Sequence, residues 1–526
     1  MKHLGPIYLV FLSLLMAACG GSSGTTPPPP VGGFTNASLT GQYAFSMSGV
    51  DLNGGFIARA GSFVADGKGS ITSGLEDVVS SASGNSIVPF TGGTYTIQAN
   101  GRGLLVLQSS NGGGLQLNIV LQTTSQGVMV QTDLNATSSG TFAIQTTADF
   151  TATALNGNYV FDFSGLSFGA NVFPKSTIGQ FALDGNGNLT GGTLDDNDGN
   201  ASGPSGATAI QPGTFQLDTT TNGSFGRGML TFSGRTFAFY IVNRGRIKFI
   251  EEDNPAATLG EGYLQSNGIP TQNSGFTGSF VYLVGGSSIL GSQGPDARVA
   301  RFTADGSGGI GSISFDENNV GASRHISQGS NITAAAYSID AAAAGSGRGT
   351  FTFTDSGGGT YLYVFYLISP TQAVLQDTSN GIIADGPMQA QTGSPFTNAN
   401  IAGNYAFNWS GVQLGSQNAI PFEEDFVGQY VLASSAGNNA SGVMDFTELG
   451  LSSKQFFPNT AITGSLTING DGTINNTFQV LNHNSPSTTY NMVAYVVNAS
   501  TTYLVVTDST RVTAGITTQQ TQPPAN

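Results

Sequence analysis

Charged side chains that recur at fixed places are the first candidates for chemistry in this chain. Only 9% of the residues are charged, so a repeated charge is informative. Two sets of aspartates recur in four segments, the first set being Asp77, Asp195, Asp316 and Asp445 and the second Asp133, Asp253, Asp377 and Asp508. Three arginines, each between two glycines, accompany them at Arg102, Arg227 and Arg348.

These residue types allow three interpretations. A carboxylate can cap a turn by accepting backbone N–H groups, and it can pair with a guanidinium through two hydrogen bonds. Because folding requirements apply to every copy of a repeat, recurrence favours this structural interpretation. The alternatives are a polar cluster at a barrel mouth that orients a ligand, and a metal site.

One run of acidic residues in the second segment has the composition of a calcium-binding loop. Asp195, Asp196 and Asp198 lie among asparagines, and calcium prefers such oxygen ligands. The flanking helices and the distal glutamate of an EF-hand are missing. The run therefore predicts either a calcium site in the second segment or a solvated acidic loop.

Residues for catalysis are sparse. His325 and His483 are the two histidines beyond the first few residues, and they lie in different segments. The acidic clusters at 251–253 and 423–425 contain enough carboxyl groups for a glycosidase pair. Solvated surface is the more ordinary explanation of such clusters, so no catalytic residue is predicted. The fourth segment departs most from the others, and its 422–426 cluster is the first place to expect specialisation.

The four segments are copies of one unit. Each begins with the same short sequence motif around a glycine, at Gly41, Gly157, Gly278 and Gly403. These glycines are roughly 120 residues apart, which is the size of a small domain. Alternating apolar and polar runs joined by Asp-Gly turns indicate β-hairpins. Each copy contains about eight such runs, and closing them into a barrel removes exposed strand edges.

The sequence thus predicts an all-β protein of four tandem up-and-down barrels, similar in layout to lipocalin and avidin barrels. Two-sheet sandwiches are the second choice, and one large membrane barrel is the third. The predicted repeats span 36–147, 153–267, 274–392 and 399–520.

The first residues read as a secretory leader. Lys2 is followed by an apolar run from Ile7 to Met16, which is too short to span a bilayer. Ala17, Ala18 and Cys19 then resemble the lipobox of bacterial lipoproteins. This resemblance implies a signal peptide over 1–18, lipidation of Cys19, and a Gly/Ser/Pro tether over 19–35. Gly20, where relatives kept at the inner membrane carry aspartate, implies the outer membrane.

The amino-acid composition limits the classes of binding partner that can be expected. The net charge is −15 and the 16 basic residues are dispersed, so nucleic acid is not an expected partner. Low charge with many hydroxyl, amide and aromatic side chains suits a polysaccharide or another envelope protein. The function predicted is non-enzymatic binding or adhesion by a lipid-anchored envelope protein. The alternatives are a passive spacer or coat lipoprotein, and a carboxylate-dependent glycoside hydrolase.

Overall fold

The computed structural model describes residues 33–523 except 82–83, 169–170, 202, 254–255, 292, 328–330, 341–344, 415–421, 435–438, 451–452 and 481–487. The predicted leader, Cys19 and His483 lie outside the described residues. The described chain is almost entirely antiparallel β-structure with a few short 3-10 turns. Within it, no helix has the length and apolar character needed to cross a membrane.

Barrel 1 and barrel 4 are closed eight-stranded meanders in which the last strand pairs with the first. The strands of barrel 1 are β1 (Thr40–Asp51), β2 (Phe56–Asp66), β3 (Ser70–Ser80), β4 (Gly84–Ile97), β5 (Arg102–Ser109), β6 (Gly114–Leu121), β7 (Gln126–Gln131) and β8 (Ala136–Ile144). Those of barrel 4 are β27 (Gly403–Gln413), β28 (Phe422–Leu432), β29 (Asn439–Gly450), β30 (Ser453–Ile468), β31 (Thr473–Val480), β32 (Thr488–Asn498), β33 (Thr501–Val506) and β34 (Arg511–Gln519).

Barrels 2 and 3, which lie between them in the chain, have the same order but divide the fourth strand in two. Barrel 2 contains β9 (Asn156–Phe168), β10 (Val172–Asp184), β11 (Asn188–Asp198), β12 (Thr208–Ile210), β13 (Gly213–Leu217), β14 (Arg227–Phe232), β15 (Arg235–Asn243), β16 (Arg246–Glu251) and β17 (Ala256–Leu264). Barrel 3 contains β18 (Thr277–Ser288), β19 (Gly294–Asp305), β20 (Ile310–Asn319), β21 (Ala322–Ser327), β22 (Ile332–Ile339), β23 (Arg348–Asp355), β24 (Thr360–Ser369), β25 (Gln372–Asp377) and β26 (Ile382–Ala390).

The turn chemistry in the sequence explains the hairpins. Asp66 Oδ1 accepts the backbone N–H groups of Lys68 and Ser70, at 2.7 and 2.9 Å, and Gly67 takes a positive φ of 76°. The same arrangement recurs at Asp184 and Asp305. Alternate residues point into each barrel, where they form four separate apolar cores. The prediction of tandem meander barrels is confirmed.

Outward-facing apolar residues join the barrels into a ring. Clusters of buried side chains connect barrel 1 to 2, 2 to 3, 3 to 4, and 4 back to 1. A glutamine after each closing strand donates its side-chain amide to two backbone carbonyls of the next barrel; these residues are Gln145, Gln265, Gln391 and Gln520. Gln520 reaches Asn100 and Leu121 of barrel 1, which closes the ring.

Candidate functional site

The first set of recurrent aspartates lies on the third strand of each barrel, on the outer face. Arg227 of barrel 2 donates Nε and Nη2 to the two carboxylate oxygens of Asp77 in barrel 1, at 2.8 and 2.7 Å. The Tyr240 hydroxyl donates to the same carboxylate at 2.6 Å. Asp77 is fully buried, so this pair joins two barrels through a desolvated contact.

The next interface repeats this arrangement. Arg348 of barrel 3 donates Nε and Nη2 to Asp195 of barrel 2, both at 2.8 Å, and the Tyr366 hydroxyl adds a third hydrogen bond at 2.7 Å. The hydrogen bonds to Asp195 raise the pKa of Arg348 above its ordinary value. Each recurrent arginine therefore pairs with the aspartate of the preceding barrel, and not with the one in its own copy.

The other two interfaces depart from this pattern in different ways. Where barrel 4 meets barrel 1, Arg102 of barrel 1 donates to Asp445 of barrel 4. The residue paired with Arg102 on the neighbouring strand is Val120, whereas the residue paired with Arg227 is Tyr240. Between barrels 3 and 4 the tyrosine is present as Tyr495, but Thr473 occupies the position of the arginine. Asp316 there accepts from the Tyr495 hydroxyl and contacts His325 Nδ1 at 2.9 Å.

The second set of aspartates caps turns within its own barrel. Each carboxylate accepts a backbone N–H group: Asp133 from Gln116 and Asn135, Asp253 from Thr236, Asp377 from Ser379 and Asp508 from Asn491. Asp377 also pairs with the buried Arg298. Such hydrogen bonds fix the ends of neighbouring strands, as side-chain caps of turns do.

The acidic run of barrel 2 does not converge on one point. Asp195 faces Arg348 outside the barrel, whereas Asp196 and Asp198 both accept from Lys175 Nζ at 2.9 Å. Alternation along β11 produces this separation, because neighbouring residues of a strand point to opposite faces. Among the described residues no group of three potential ligands is arranged for a metal ion. The geometry gives the calcium prediction no support.

The spaces found inside barrel 4 and at the mouth of barrel 1 are smaller than ordinary ligand pockets. In barrel 4 the void beside Tyr405, Tyr430 and Phe478 has a volume of about 20 Å³. The mouth of barrel 1 has a pocket of about 220 Å³ next to the Arg59–Glu76 ion pair. None of the recurrent aspartates and arginines lines either space.

A larger cavity, of about 490 Å³, lies between barrels 1 and 4, and we call it the acidic cavity. Glu423 and Asp425 on β28 line it, because Glu424 between them points the other way and pairs with Arg511 at 2.9 Å. Hydroxyl and amide side chains complete its polar wall, namely Ser48, Gln122, Ser139, Thr141, Asn408 and Ser410. Its size lies within the range of ordinary ligand pockets.

The two carboxyl groups of the acidic cavity are poorly compensated. Asp425 is 1% exposed, and although its Oδ2 accepts from Thr137 at 2.8 Å, its Oδ1 has no hydrogen-bond partner within the part of the chain described. Burial raises the pKa of Asp425 to about 6, against the lowering effect of the Ser139 and Thr137 hydroxyl groups. Burial also raises the pKa of Glu423 well above its ordinary value, and the neighbouring charge of Asp425 adds to this rise.

Lys454 is the cation that acts on Asp425. Its charge lowers the pKa of that carboxyl against the effect of burial. Its ammonium group, however, donates to the backbone carbonyls of Gln131, Asp133 and Ala136, at 2.8 and 2.6 Å for the first two. Asp425 Oδ1 is thus an acceptor that no described residue uses, and it is itself buried from solvent.

Part of this site could be recognised from the sequence alone. The 423–425 cluster stood out as acidic, and the two-residue period of a strand places Glu423 and Asp425 on one face. The barrel 1 side of the wall, including Ser48 and Ser139, carried no signal, because it comes from a distant copy that only ring closure brings near.

Comparison with known proteins identifies no family for this chain. The chain matches no family model, and no curated protein matches it. Among solved structures it resembles the isotype 1 transferrin binding protein B of serogroup B Neisseria meningitidis, at 11% identity and a TM-score of 0.21, over 76% of this chain and 85% of that one. A transferrin binding protein B double mutant from Haemophilus parasuis matches at 10% identity and a TM-score of 0.21, over 76% and 84%. Function is therefore argued from this chain's own residues.

Proposed function

We propose that this chain is an exported, lipid-anchored protein of the bacterial cell envelope that binds a saccharide in the acidic cavity without catalysing a reaction. The observation that carries the proposal is a cavity of about 490 Å³ in which two carboxyl side chains, Glu423 and Asp425, lie in a wall of hydroxyl and amide groups. Carboxylate oxygens form strong, charge-assisted hydrogen bonds, so a ligand rich in hydroxyl donors is stabilised beside them.

The other residues of the wall suit a sugar. Saccharide hydroxyl groups donate to Glu423 and Asp425 and accept from the serine, threonine and amide side chains opposite them. Phe56 and Ile516 contribute apolar surface to the same cavity, against which the C–H face of a sugar ring can pack. The described residues that line the acidic cavity include no arginine or lysine, so the cavity favours a neutral or cationic ligand over an anionic one.

The lipid anchor is a separate part of the proposal, and it rests on the leader that ends at Cys19. The first described residues lie against the end of the chain, since a Cβ on Gly33 would come within 2.6 Å of the Pro523 carbonyl oxygen. A tether preceding Gly33 would thus leave the ring where barrels 1 and 4 meet. Metabolic labelling with a fatty acid tests the anchor: we expect label on the wild type and none on C19S.

A glycoside hydrolase is the second candidate, because Glu423 and Asp425 share one cavity. Glycosidases place two carboxyl groups on either side of the scissile bond. Here both project from the same strand, two residues apart, so they approach a bound sugar from one side. This geometry favours binding over hydrolysis.

The test is calorimetric titration of the full chain with a panel of soluble oligosaccharides that includes chitin, cellulose and peptidoglycan fragments. We expect one class to bind, and D425N and E423Q to weaken its binding at least tenfold. D508N, which alters an exposed turn of the same barrel, is the matched control and should bind as the wild type does.

Each result decides between the candidates. Binding without release of reducing ends supports the proposal. Release of reducing ends that E423Q abolishes would replace it with the hydrolase. If no oligosaccharide binds to the wild type, or if D425N binds unchanged, the acidic cavity is not a saccharide site and the spacer alternative gains weight.

A further inference from the structure

The interface between barrels 3 and 4 keeps a binding arrangement from which one side chain has been lost. In register, Arg227 stands opposite Tyr240 and Arg348 opposite Tyr366, while Thr473 stands opposite Tyr495. The aspartate that the missing arginine would contact is still present as Asp316, which is 4% exposed. Tyr495 also still donates to this carboxylate, as Tyr240 and Tyr366 do to theirs.

A cavity of about 340 Å³ lies at this place, and we call it the vacant arginine site. The guanidinium of Arg227 pairs with Asp77 and lies 3.7 Å from the carboxylate of Glu252. The counterparts of these two acidic residues in the later interface are Asp316 and Thr507, and both line the cavity.

A second contact confirms the correspondence of Glu252 and Thr507. Each follows the penultimate strand of its barrel, and each offers its backbone carbonyl to a side chain of the preceding barrel. Asn85 donates to Glu252 at 2.6 Å, and Ser323 donates to Thr507 at 2.8 Å. The cavity therefore occupies the position that an arginine side chain fills between barrels 1 and 2.

His325 now occupies one oxygen of Asp316, and it is a replaceable partner. Its side chain is 57% exposed, whereas the arginine that pairs with Asp195 is 13% exposed. Arg324 also lines the cavity, but its charge is balanced by Glu317 and Asp355, with which it pairs at 3.3 and 2.9 Å, so it does not compete for Asp316. A guanidinium entering the cavity can reach both oxygens of Asp316 once the imidazole turns towards solvent.

We propose that the vacant arginine site binds a guanidinium group, supplied by free arginine or by an arginine side chain of a partner protein. The planar guanidinium fits a carboxylate through two parallel hydrogen bonds, and an ammonium group does not reproduce this geometry. Asn475 and Thr507 add uncharged hydrogen-bonding groups to the wall, and Val493 gives apolar contact for the arginine stem.

The test uses the full chain and three probes in calorimetric titration. They are free arginine, a blocked peptide with one central arginine, and the same peptide with citrulline, which keeps the shape and loses the charge. We expect the arginine peptide to bind and the citrulline peptide to bind at least tenfold more weakly. Free arginine that binds as tightly as the peptide identifies a small molecule as the source, whereas binding of the peptide alone identifies a partner protein.

Two variants make the result specific to this cavity. D316N removes the charge and should weaken binding at least tenfold. T473R restores the missing side chain, which should fill the cavity, abolish binding and raise the Tm. T333R, a threonine on the exposed face of barrel 3, is the matched control and should bind as the wild type does.

The proposal is overturned if neither arginine probe binds the wild type, or if T473R binds them as well as T333R does. T473R adds the arginine that the corresponding interfaces contain and is expected to fold, so it answers the question even if D316N is too unstable to measure.

Discussion

The interface between barrels 2 and 3 and the interface between barrels 3 and 4 share one design and differ at one position. Both contain a buried aspartate and a tyrosine hydroxyl that donates to it. The first adds Arg348, which satisfies both oxygens of Asp195, and the second has Thr473 in its place with His325 on one oxygen of Asp316. The same repeat thus provides a closed ion pair at one interface and, at the next, a buried carboxylate that lines a cavity and has no arginine partner.

Other contacts explain why the second interface survives without its arginine. Asn197 donates its amide to the Asp377 and Ile382 carbonyls across the first interface, and Asn318 donates to the Val506 and Arg511 carbonyls across the second. Both interfaces also have the glutamine contact and an outer apolar cluster. Several independent contacts therefore stabilise each interface, and the ring of barrels stays closed where one charged contact is absent.

The largest effect is expected from R348M, which leaves Asp195 buried without its cation. Removing one partner of a buried pair costs about 3–5 kcal/mol, because the remaining charge is uncompensated. Urea denaturation should show this loss in the free energy of unfolding. R324M is the matched control: Arg324 is 47% exposed, and surface ion pairs contribute about 0–1 kcal/mol. Equal effects of the two variants would mean that Asp195 is compensated without Arg348.

A smaller effect is expected from D316N at the interface that has no arginine. Asp316 accepts two hydrogen bonds, from Tyr495 and His325, and loss of hydrogen bonds to a charged group costs about 1–3 kcal/mol. D195N, by contrast, leaves the buried Arg348 without its carboxylate and should cost more in the same urea measurement. If D316N proved the more damaging of the two, the carboxylate at the open interface would be the better compensated one, and the vacant arginine site would lose its basis.

Much of the fold could be predicted from the sequence, because its causes are local. The Asp-Gly turns, the two-residue period and the repeated opening phrase each act within about a dozen residues. The division of the fourth strand in barrels 2 and 3 was not predicted, because apolar alternation alone does not mark where backbone pairing is interrupted. Formation of the ring was also not predicted, because it depends on contacts between copies.

The candidate sites show the same limit. Recurrence identified Asp77 and Arg227 as positions that matter, but spacing within a copy cannot say that the arginine reaches the preceding copy. Gln145 and Gln265 recurred at the ends of closing strands and were a readable signal of such contacts. The acidic cavity combines β28 of the last barrel with β1 and β8 of the first, so nothing local in the sequence could have assembled it.

The smallest predicted effect is a pH dependence peculiar to the interface without the arginine. The hydrogen bond from His325 to Asp316 raises the pKa of the imidazole above 6.5, with Arg324 the other charged neighbour on its strand. The folded state therefore holds this proton more tightly than the unfolded chain, so its contribution to stability is present below pH 6.5 and is lost as the pH rises through the raised pKa. Because the imidazole of His325 is more than half exposed, its contribution to the free energy of unfolding is small.

Other groups titrate in the same range, notably Asp425, so the wild type alone cannot display the effect of His325. The measurement is the difference in free energy of unfolding between wild type and H325Q at pH 5.5 and at pH 8.5. We expect the wild type to have its advantage at the lower pH only. An advantage that persists unchanged at pH 8.5 would mean that the neutral imidazole suffices, and that Asp316 is as firmly occupied as Asp195. A guanidinium would then have no replaceable partner to displace, which would remove the physical distinction between the two interfaces.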